Sequence, residues 1–374
     1  MLTIRTGSLL PKLKERTKSV LDIRAYDFEE LQKYLLSIGE PNFRCKQFFS
    51  WLHNQQIEDF SQAHNVGKKL LTSLENDEFN IVNPELKQRF VSKDGTEKYL
   101  MALEDGSLIE CVLMRYRGDF SKQRNTLCVS SQVGCAMGCV FCATGHQGFE
   151  RNLSVAEILS EVYTANRILK ENEKGQEIRN IVFMGMGEPF NNFDNVMKAI
   201  KILCHPNGMN LSPRRITIST CGVVPQLIKF ADLNTDIGLA ISLHASNNQE
   251  RDALMPVNHA YPLDSLMDAC KHYQDITGKR ISFEYALIEN VNDQKKNVDE
   301  LKDLLQGLDC HINVIPVNTV AHNRSLHRPD KKHIQYFIEA LRAKGIGASV
   351  RQEKGADING ACGQLKTSYY QSEQ

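Results

Sequence analysis

The sequence predicts an α/β protein whose working part is a parallel sheet, preceded by a small helical region and a β-hairpin extension. Three observations carry this. From Thr126 onward, apolar and β-branched runs of strand length alternate with amphipathic runs of helix length, six times over. Just before that, two Asp-Gly pairs, Asp94-Gly95 and Asp105-Gly106, separate short apolar-rich stretches, the pattern of a β-meander. Before Pro84, apolar residues recur at helical spacing.

Taken in order, residues 1 to about 24 are basic, with Arg5, Lys12, Lys14, Arg16, Lys18 and Arg24 and no acid before Asp22. This reads as a solvated tail able to touch phosphates. Asp27 is an N-cap for a helix over 28–36, which Gly39 and Pro41 stop. Helices over 44–53 and 67–74 follow. The meander strands fall at 88–92, 99–103 and 108–116, bounded by Pro84 and by the polar stretch 118–125. Further strands are expected at 126–131, 180–185, 215–220, 237–243, 281–288 and 312–317. The helices between or after them fall at 154–170, 193–204, 224–232, 263–274, 294–306 and 330–344, the first opened by a capping box of Ser154 with Glu157. Six βα units in series require a parallel sheet with right-handed crossovers, either an open partial barrel or a doubly wound sheet. In both, the reactive site lies at the C-terminal strand ends. The expected division is a helical domain over 1–83, a meander over 84–120, the βα units over 121–352 and a mobile C-terminal segment over 353–374.

Composition narrows the function. Lys and Arg together number 45 and so do Asp and Glu, so the 374-residue chain has no global basic field and nucleic acid would have to meet a local patch. No apolar run reaches the length of a signal peptide core or a membrane span, which predicts a cytoplasmic protein. Eleven cysteines in a reducing compartment point to metal or catalytic use for the clustered ones rather than a disulfide framework.

The cluster in question is Cys135-Ala-Met-Gly-Cys139-Val-Phe-Cys142, placed at the C-terminal end of the first βα strand. Three thiolates in eight residues can hold three irons of a cubane and leave one iron open, as a catalytic site requires. Gly134 and Gly138 allow the tight turns such a loop needs. A zinc knuckle or three unrelated buried thiols are the competing readings. The second strand runs into Met184-Gly-Met-Gly187-Glu188-Pro189, where Gly187 permits close backbone approach and Glu188 offers a carboxylate to an ammonium group. Other strands end in Ser219-Thr220, Ser242-Leu243-His244 and Val317-Asn318, small polar groups suited to ribose hydroxyls and an amino-acid tail, or equally to strand-ending turns. Cys362 sits among glycines in a C-terminal stretch with no packing reason for a thiol. Cys128 is as readily a buried strand residue, and Cys45, Cys204, Cys270 and Cys310 read as core or inert surface.

The three-Cys loop, with Phe141 before its last Cys and Met186-Gly-Glu-Pro189 after the next strand, resembles the radical S-adenosylmethionine (SAM) superfamily. The fuller runs Cys128-Val-Ser-Ser-Gln-Val-Gly-Cys135, Gly148-Phe-Glu-Arg151-Asn152-Leu153, Ser212-Pro-Arg-Arg215 and Ala361-Cys362-Gly363-Gln364-Leu365 resemble the RNA adenine methyltransferases of the RlmN/Cfr family, over nearly the whole chain. That resemblance implies a partial (β/α)6 radical SAM barrel, with Cys135, Cys139 and Cys142 holding one 4Fe-4S cluster. Gly187, Glu188, Ser219, Ser242, Leu243, His244 and Asn318 would line SAM, two molecules being used per turnover. Cys362 would carry the methyl group, Cys128 would resolve the RNA adduct and leave a disulfide bond, and Glu110 would accept a proton. The segment between Glu110 and Cys128 is longer here than in some relatives, which loosens the Glu110 assignment. Implied partners are 23S ribosomal RNA and transfer RNA, a flavodoxin or ferredoxin as reductant, no membrane, and a monomeric state. The helical domain, Arg214-Arg215, Lys122 and Arg124 are candidate RNA contacts. Val133, where the Cfr branch has an extra Cys, and the Arg44-Cys-Lys-Gln run in a full N-terminal domain lean towards the RlmN branch and carbon 2 of adenine rather than carbon 8.

Overall fold

The computed structural model describes residues 21–118, 121–318, 323 and 325–366, with the backbone alone at 121–123. The basic residues proposed as a tail before residue 21 lie outside this range. The helical region comprises β1 (Leu21–Asp22), α1 (Phe28–Ser37), α2 (Asn42–Ser50), a π-helical turn at Trp51–Gln55, α3 (Lys68–Asn76) and β2 (Phe79–Asn80), which pairs with β1. Asp27 caps α1 in a full capping box with Glu30. Arg24, expected in a solvated tail, is instead buried. Its guanidinium lies 2.6 Å from the Asp22 carboxylate and also reaches Asn83, so its charge is neutralised inside the fold. The helices pack on the outside of the βα region: Phe28 stacks on His205 with centroids 4.5 Å apart, and His53 bonds the Tyr163 hydroxyl at 2.7 Å.

The meander is β3 (Glu85–Val91), β4 (Glu97–Ala102) and β5 (Leu108–Gly118), followed by β6 (Ser121–Cys128). The polar stretch expected to bound the meander is β6 itself, antiparallel to β5. Two of its polar side chains find partners without breaking the strand: Arg124 lies over the Tyr116 ring and Asn125 bonds Gln176 and the Glu177 carbonyl. The first βα strand therefore ends at Cys128, three residues before its expected end at 131.

After β6 come β7 (Gln132–Gly134), α4 (Ala143–Gln147), β8 (Phe149–Asn152), α5 (Val155–Asn172), β9 (Asn180–Phe183), α6 (Phe193–Cys204), β10 (Ile216–Thr220) and α7 (Val224–Asp232). Then follow β11 (Gly238–Ser242), α8 (Asn248–Leu254), α9 (Leu263–Thr277), β12 (Ile281–Leu287), α10 (Lys295–Leu304), β13 (Cys310–Pro316), α11 (Lys331–Ala343) and β14 (Gly347–Val350). The main sheet has ten strands in the order β14-β13-β12-β11-β10-β9-β6-β5-β4-β3. From β6 to β14 all pairings are parallel and each strand lies beside its predecessor in the βα series. A doubly wound sheet would reverse its strand order at a switch point, so this order decides for the open, partial barrel. β14 is a seventh parallel strand. Its Gly-Ala-Ser-Val sequence carries almost no strand propensity, and pairing with β13 alone defines it.

A continuous core runs from Ile23 through Phe49, Leu113 and Ile241 to Ala348, so the helical region and the barrel share one interior. No helix among the described residues is long and apolar enough to cross a membrane.

Candidate active site

β6 ends at Cys128, and the chain then doubles back through the β7–β8 hairpin, which presents the loop 135–142. Cys135 N donates to the Gly148 carbonyl at 2.9 Å, and Val140 N to the Leu254 carbonyl at 3.1 Å. Only glycine fits at 134: φ is +71° and a Cβ would lie 1.8 Å from the Gly148 oxygen. Cys135, Cys139 and Cys142 face one cavity of about 150 Å3. Burial pushes the Cys135 thiol up to about 12 and the Cys142 thiol to about 11, so as bare side chains they keep their protons and a cationic group between them would draw out the thiolates. Among the described residues, no three His, Cys, Asp or Glu side chains gather round a single-ion site. Three thiols on one short loop, spread round a shared cavity, fit a multi-iron cluster, and a fourth thiol, Cys221, lies beside Cys139 in the same cavity.

The strand ends supply the rest of the cavity. Gly187, at φ +99°, leaves the room that its Cβ would take from Gln132, 2.6 Å away. Glu188 is buried with its carboxylate fixed by two amides, Phe190 N at 3.0 Å and Cys221 N at 2.7 Å. Burial raises its pKa against those bonds, so a cationic ligand would be favoured there. Ser219 and Ser242 stand on adjacent strands with hydroxyls 3.5 Å apart. His244 accepts the Ala286 amide on Nδ1 at 2.8 Å, and burial lowers its pKa to about 3, so it is neutral and carries its proton on Nε2. Asn318 lines the cavity and donates to the Cys362 carbonyl at 3.2 Å. Leu243 is the exception. Its side chain belongs to the core and its amide donates to the Glu284 carbonyl at 3.0 Å, so of the expected cofactor contacts it alone does not face the cavity.

Sequence reasoning missed Cys221, Glu284 and Arg351, which also line this cavity. Glu284 could have been found as a lone carboxylate in the apolar strand 281–287. Arg351 follows the strand that had no signal.

Residues 351–366 return over the cluster loop. The Gly363 carbonyl accepts from Ala143 N at 2.7 Å and the Leu365 carbonyl from the Thr144 hydroxyl at 2.7 Å. On the other side the β3–β4 turn fastens it, with Asp357 accepting from Ser92 Oγ at 2.5 Å and Lys93 N at 3.2 Å. Cys362 thereby lines both the cluster cavity and a second one, walled by Val112, Met114, Cys128 and Lys354. It stands on the partition between them. Cys128 and Cys362 are unpaired thiols, and Cys128 is pushed up to about 12 chiefly by burial and next by the nearby Cys362.

Glu110 is fully buried and lines neither cavity. It lies 2.9 Å from Lys98 Nζ and accepts the Lys366 amide at 2.9 Å, while burial raises its pKa against the pull of Lys98. Arg214 and Arg215 precede β10 and so lie at the N-terminal pole of the sheet, opposite the cavity. Arg124 is exposed at the meander end, and the Lys122 side chain lies outside the described residues.

Comparison with known proteins gives the following. A family model described as the radical SAM superfamily matches residues 129–302, and one described as the ribosomal RNA large subunit methyltransferase N-terminal domain matches residues 21–79. A probable dual-specificity RNA methyltransferase RlmN of Clostridium perfringens is 43% identical over 95% of this chain and 99% of its own length. A protein of the same description from Lachnoclostridium phytofermentans is 44% identical over 93% of this chain and 95% of its own. Among solved structures, a radical SAM methyltransferase from Sphaerobacter thermophilus superposes with a TM-score of 0.85 at 41% identity, covering 92% of this chain and 99% of that one.

Proposed function

Since the chain belongs to the RlmN family of radical SAM RNA methyltransferases, we propose that it methylates carbon 2 of an adenosine in 23S ribosomal RNA, at the peptidyl-transferase centre, and of the adenosine 3′ of the anticodon in some transfer RNAs. One observation supports this above the others: Cys362 stands on the partition between a cavity bearing three cluster thiols and a second cavity bearing Cys128. A thiol so placed can take a methyl group on one side and deliver it on the other. The target carbon is an electron-poor amidine carbon, so delivery needs radical chemistry. When bound at this site, one 4Fe-4S cluster and SAM, two molecules per turnover, supply the methyl group, the electron and the 5′-deoxyadenosyl radical, with a flavodoxin or ferredoxin as electron source.

The protein's own groups divide the remaining work. Cys135, Cys139 and Cys142 hold the cluster. Glu188 receives the SAM ammonium, while Gly187, Ser219, Ser242, His244 and Asn318 shape the wall for the rest of the molecule, and Leu243 contributes backbone and core. Cys362 carries the methyl group. The adenine, splayed out of its stack, enters the second cavity beside Cys128. Once the carried carbon is bonded to the adenine carbon, the ring proton has gone to Glu110 and the odd electron of the adduct has been given up to the bound electron-transfer group, the Cys128 thiolate attacks the Cys362 sulfur, forming a disulfide and leaving the electron pair of the broken S–C bond on the departing carbon, which takes a proton to become the methyl group. Glu110 is the proton acceptor from the adenine ring carbon, and because the Lys366 amide occupies its carboxylate, the C-terminal segment has to lift for it to serve. The helical region 21–79 is the RNA-binding part, and the enzyme acts as a monomer.

Carbon 2 is supported by Val133 in β7 and by the N-terminal domain match. Enzymatic digestion of RNA methylated in vitro, with chromatography against 2-methyladenosine and 8-methyladenosine standards, tests it. The expected product is 2-methyladenosine; 8-methyladenosine alone would overturn carbon 2 and assign the chain the Cfr chemistry.

A further inference from the structure

Cys362 and Cys128 must each act as a thiolate, at different moments of the reaction. This inference rests on the reading of Cys362 as methyl acceptor. Burial and its neighbours push Cys128 up to about 12. Arg351, just past β14, lines the same two cavities as Cys362. Its guanidinium is held from below: Nη1 lies 2.9 Å from the Glu284 carboxylate, itself pinned by Asn313 Nδ2 at 3.0 Å, and Nη2 lies 3.1 Å from the Met184 sulfur. The main-chain amide of Arg351 is also tied, to the Val314 carbonyl at 2.9 Å. The group is thus rigidly presented at the partition. Cys362 is the largest cause of the upward displacement of the Arg351 pKa, ahead of Glu284, and Arg351 in turn opposes the upward push on Cys128.

We propose that Arg351 is a positioning residue for both thiols, supplying the positive charge that makes the Cys362 sulfur nucleophilic and, once that sulfur is methylated and neutral, serving Cys128. The charges close at each stage. While Cys362 is a thiolate, guanidinium, thiolate and the Glu284 carboxylate leave one net negative charge, which a cationic methyl donor neutralises. On methyl transfer the new S–C bond forms, the donor's S–C bond breaks with its electron pair staying on the donor, and no proton has to move. Arg351 is then left with Glu284 alone, and its electrostatic demand for a second anion falls to Cys128. The other charged groups facing these cavities are otherwise engaged, Glu188 by the Phe190 and Cys221 amides. Lys354 lies 3.7 Å from Asp94 and over Tyr116, Glu353 pairs with Arg328 at 2.8 Å, and His244 is neutral.

Alkylation of Cys362 with iodoacetamide, followed by peptide mass spectrometry across pH in the full-length apo-protein, measures this without turnover. Arg351→Met should move the midpoint of Cys362 reactivity upward by about one pH unit, roughly a tenfold slower reaction near neutral pH. Arg351→Lys should recover most of it. Glu284→Gln, which frees the guanidinium from its carboxylate, should move the midpoint the other way. A merely structural arginine would change the rate at every pH alike, or alter the alkylation of Cys128 and Cys362 together with the circular dichroism spectrum. An unmoved midpoint in folded Arg351→Met, or shifts of the same sign in Arg351→Met and Glu284→Gln, would overturn the proposal. Because alkylation needs neither RNA nor SAM, failure of the methyl-carrier reading would show instead as unmethylated Cys362 after incubation with SAM, with these midpoints unchanged.

Discussion

The two cavities that meet at Cys362 are built in opposite ways. The cluster cavity is made by strand ends of a parallel sheet, each with two paired neighbours, and its polar groups are locked by main-chain bonds, as in the two amides on Glu188 and the amide on His244. The second cavity borrows one wall from β5 and β6 and takes the other from an irregular segment held by scattered bonds, to Ser92, Lys93, Asp94, Glu110, Ala143, Thr144 and Asn318. The first is preorganised, as a site for a reactive cofactor must be. The second has an irregular wall with no strand pairing to hold it, and would have to open if it is to admit a macromolecule and then release it. The difference sets a rigid half against a less ordered one, with the Cys362 side chain lining both.

That division can be broken experimentally. The largest effects come from removing the thiols. Replacing Cys135, Cys139 and Cys142 together with Ala should abolish iron content and all activity, whereas Cys362→Ala should keep the iron and lose methylated RNA entirely, as read by iron assay and nucleoside mass spectrometry. If Cys362→Ala also lost its iron, the halves would not be separable. Next, Cys128→Ala should accumulate protein joined to RNA through Cys362, visible as a slow band on denaturing gels. In the wild type the resolving step should quicken as pH rises through the neutral range, because burial raises the Cys128 pKa and only its thiolate can attack. Full release by the variant would remove Cys128 from the mechanism.

Smaller effects sharpen the contrast. Glu188→Gln should weaken SAM binding about 10- to 100-fold by calorimetry, the worth of a buried charge-assisted bond, while leaving Cys362 alkylation as in the wild type. The smallest is expected at the fastening: Asp357→Ala removes the bonds to Ser92 and Lys93 and loosens the segment there. Cys362 should then alkylate a few-fold faster with SAM affinity unchanged. A loss of SAM affinity there would mean that the rigid half depends on the less ordered one.

The same contrast decides what could be read from sequence. The rigid half was legible because its chemistry forces local patterns: cysteines at fixed spacing, Gly134 and Gly187 where a Cβ cannot fit, and polar residues at the ends of apolar runs. Leu243 shows the limit, since a residue inside a strand-end triplet can point to either face. The less ordered half was legible only through Cys362 itself. Arg351 and Glu284 went unseen because β14 has no propensity of its own, and a charge on a strand is meaningful only once the strands beside it are known. Register was the other gap. The polar composition of β6 suggested a linker until β5 was seen to pair with it, and Arg24 looked like tail until Asp22 was found beside it.

The order of strands in the sheet has a consequence for how the enzyme is made. From β6 onward each new strand adds beside one already synthesised, so the sheet can assemble in the direction of translation. Cys128 and the cluster loop are in place early, but Cys362 arrives almost last, and its docking needs both β14 and the β3–β4 turn laid down near the start. A growing chain therefore lays down the cluster loop first, the remaining strand ends of the cavity one by one, and the segment bearing Cys362 last.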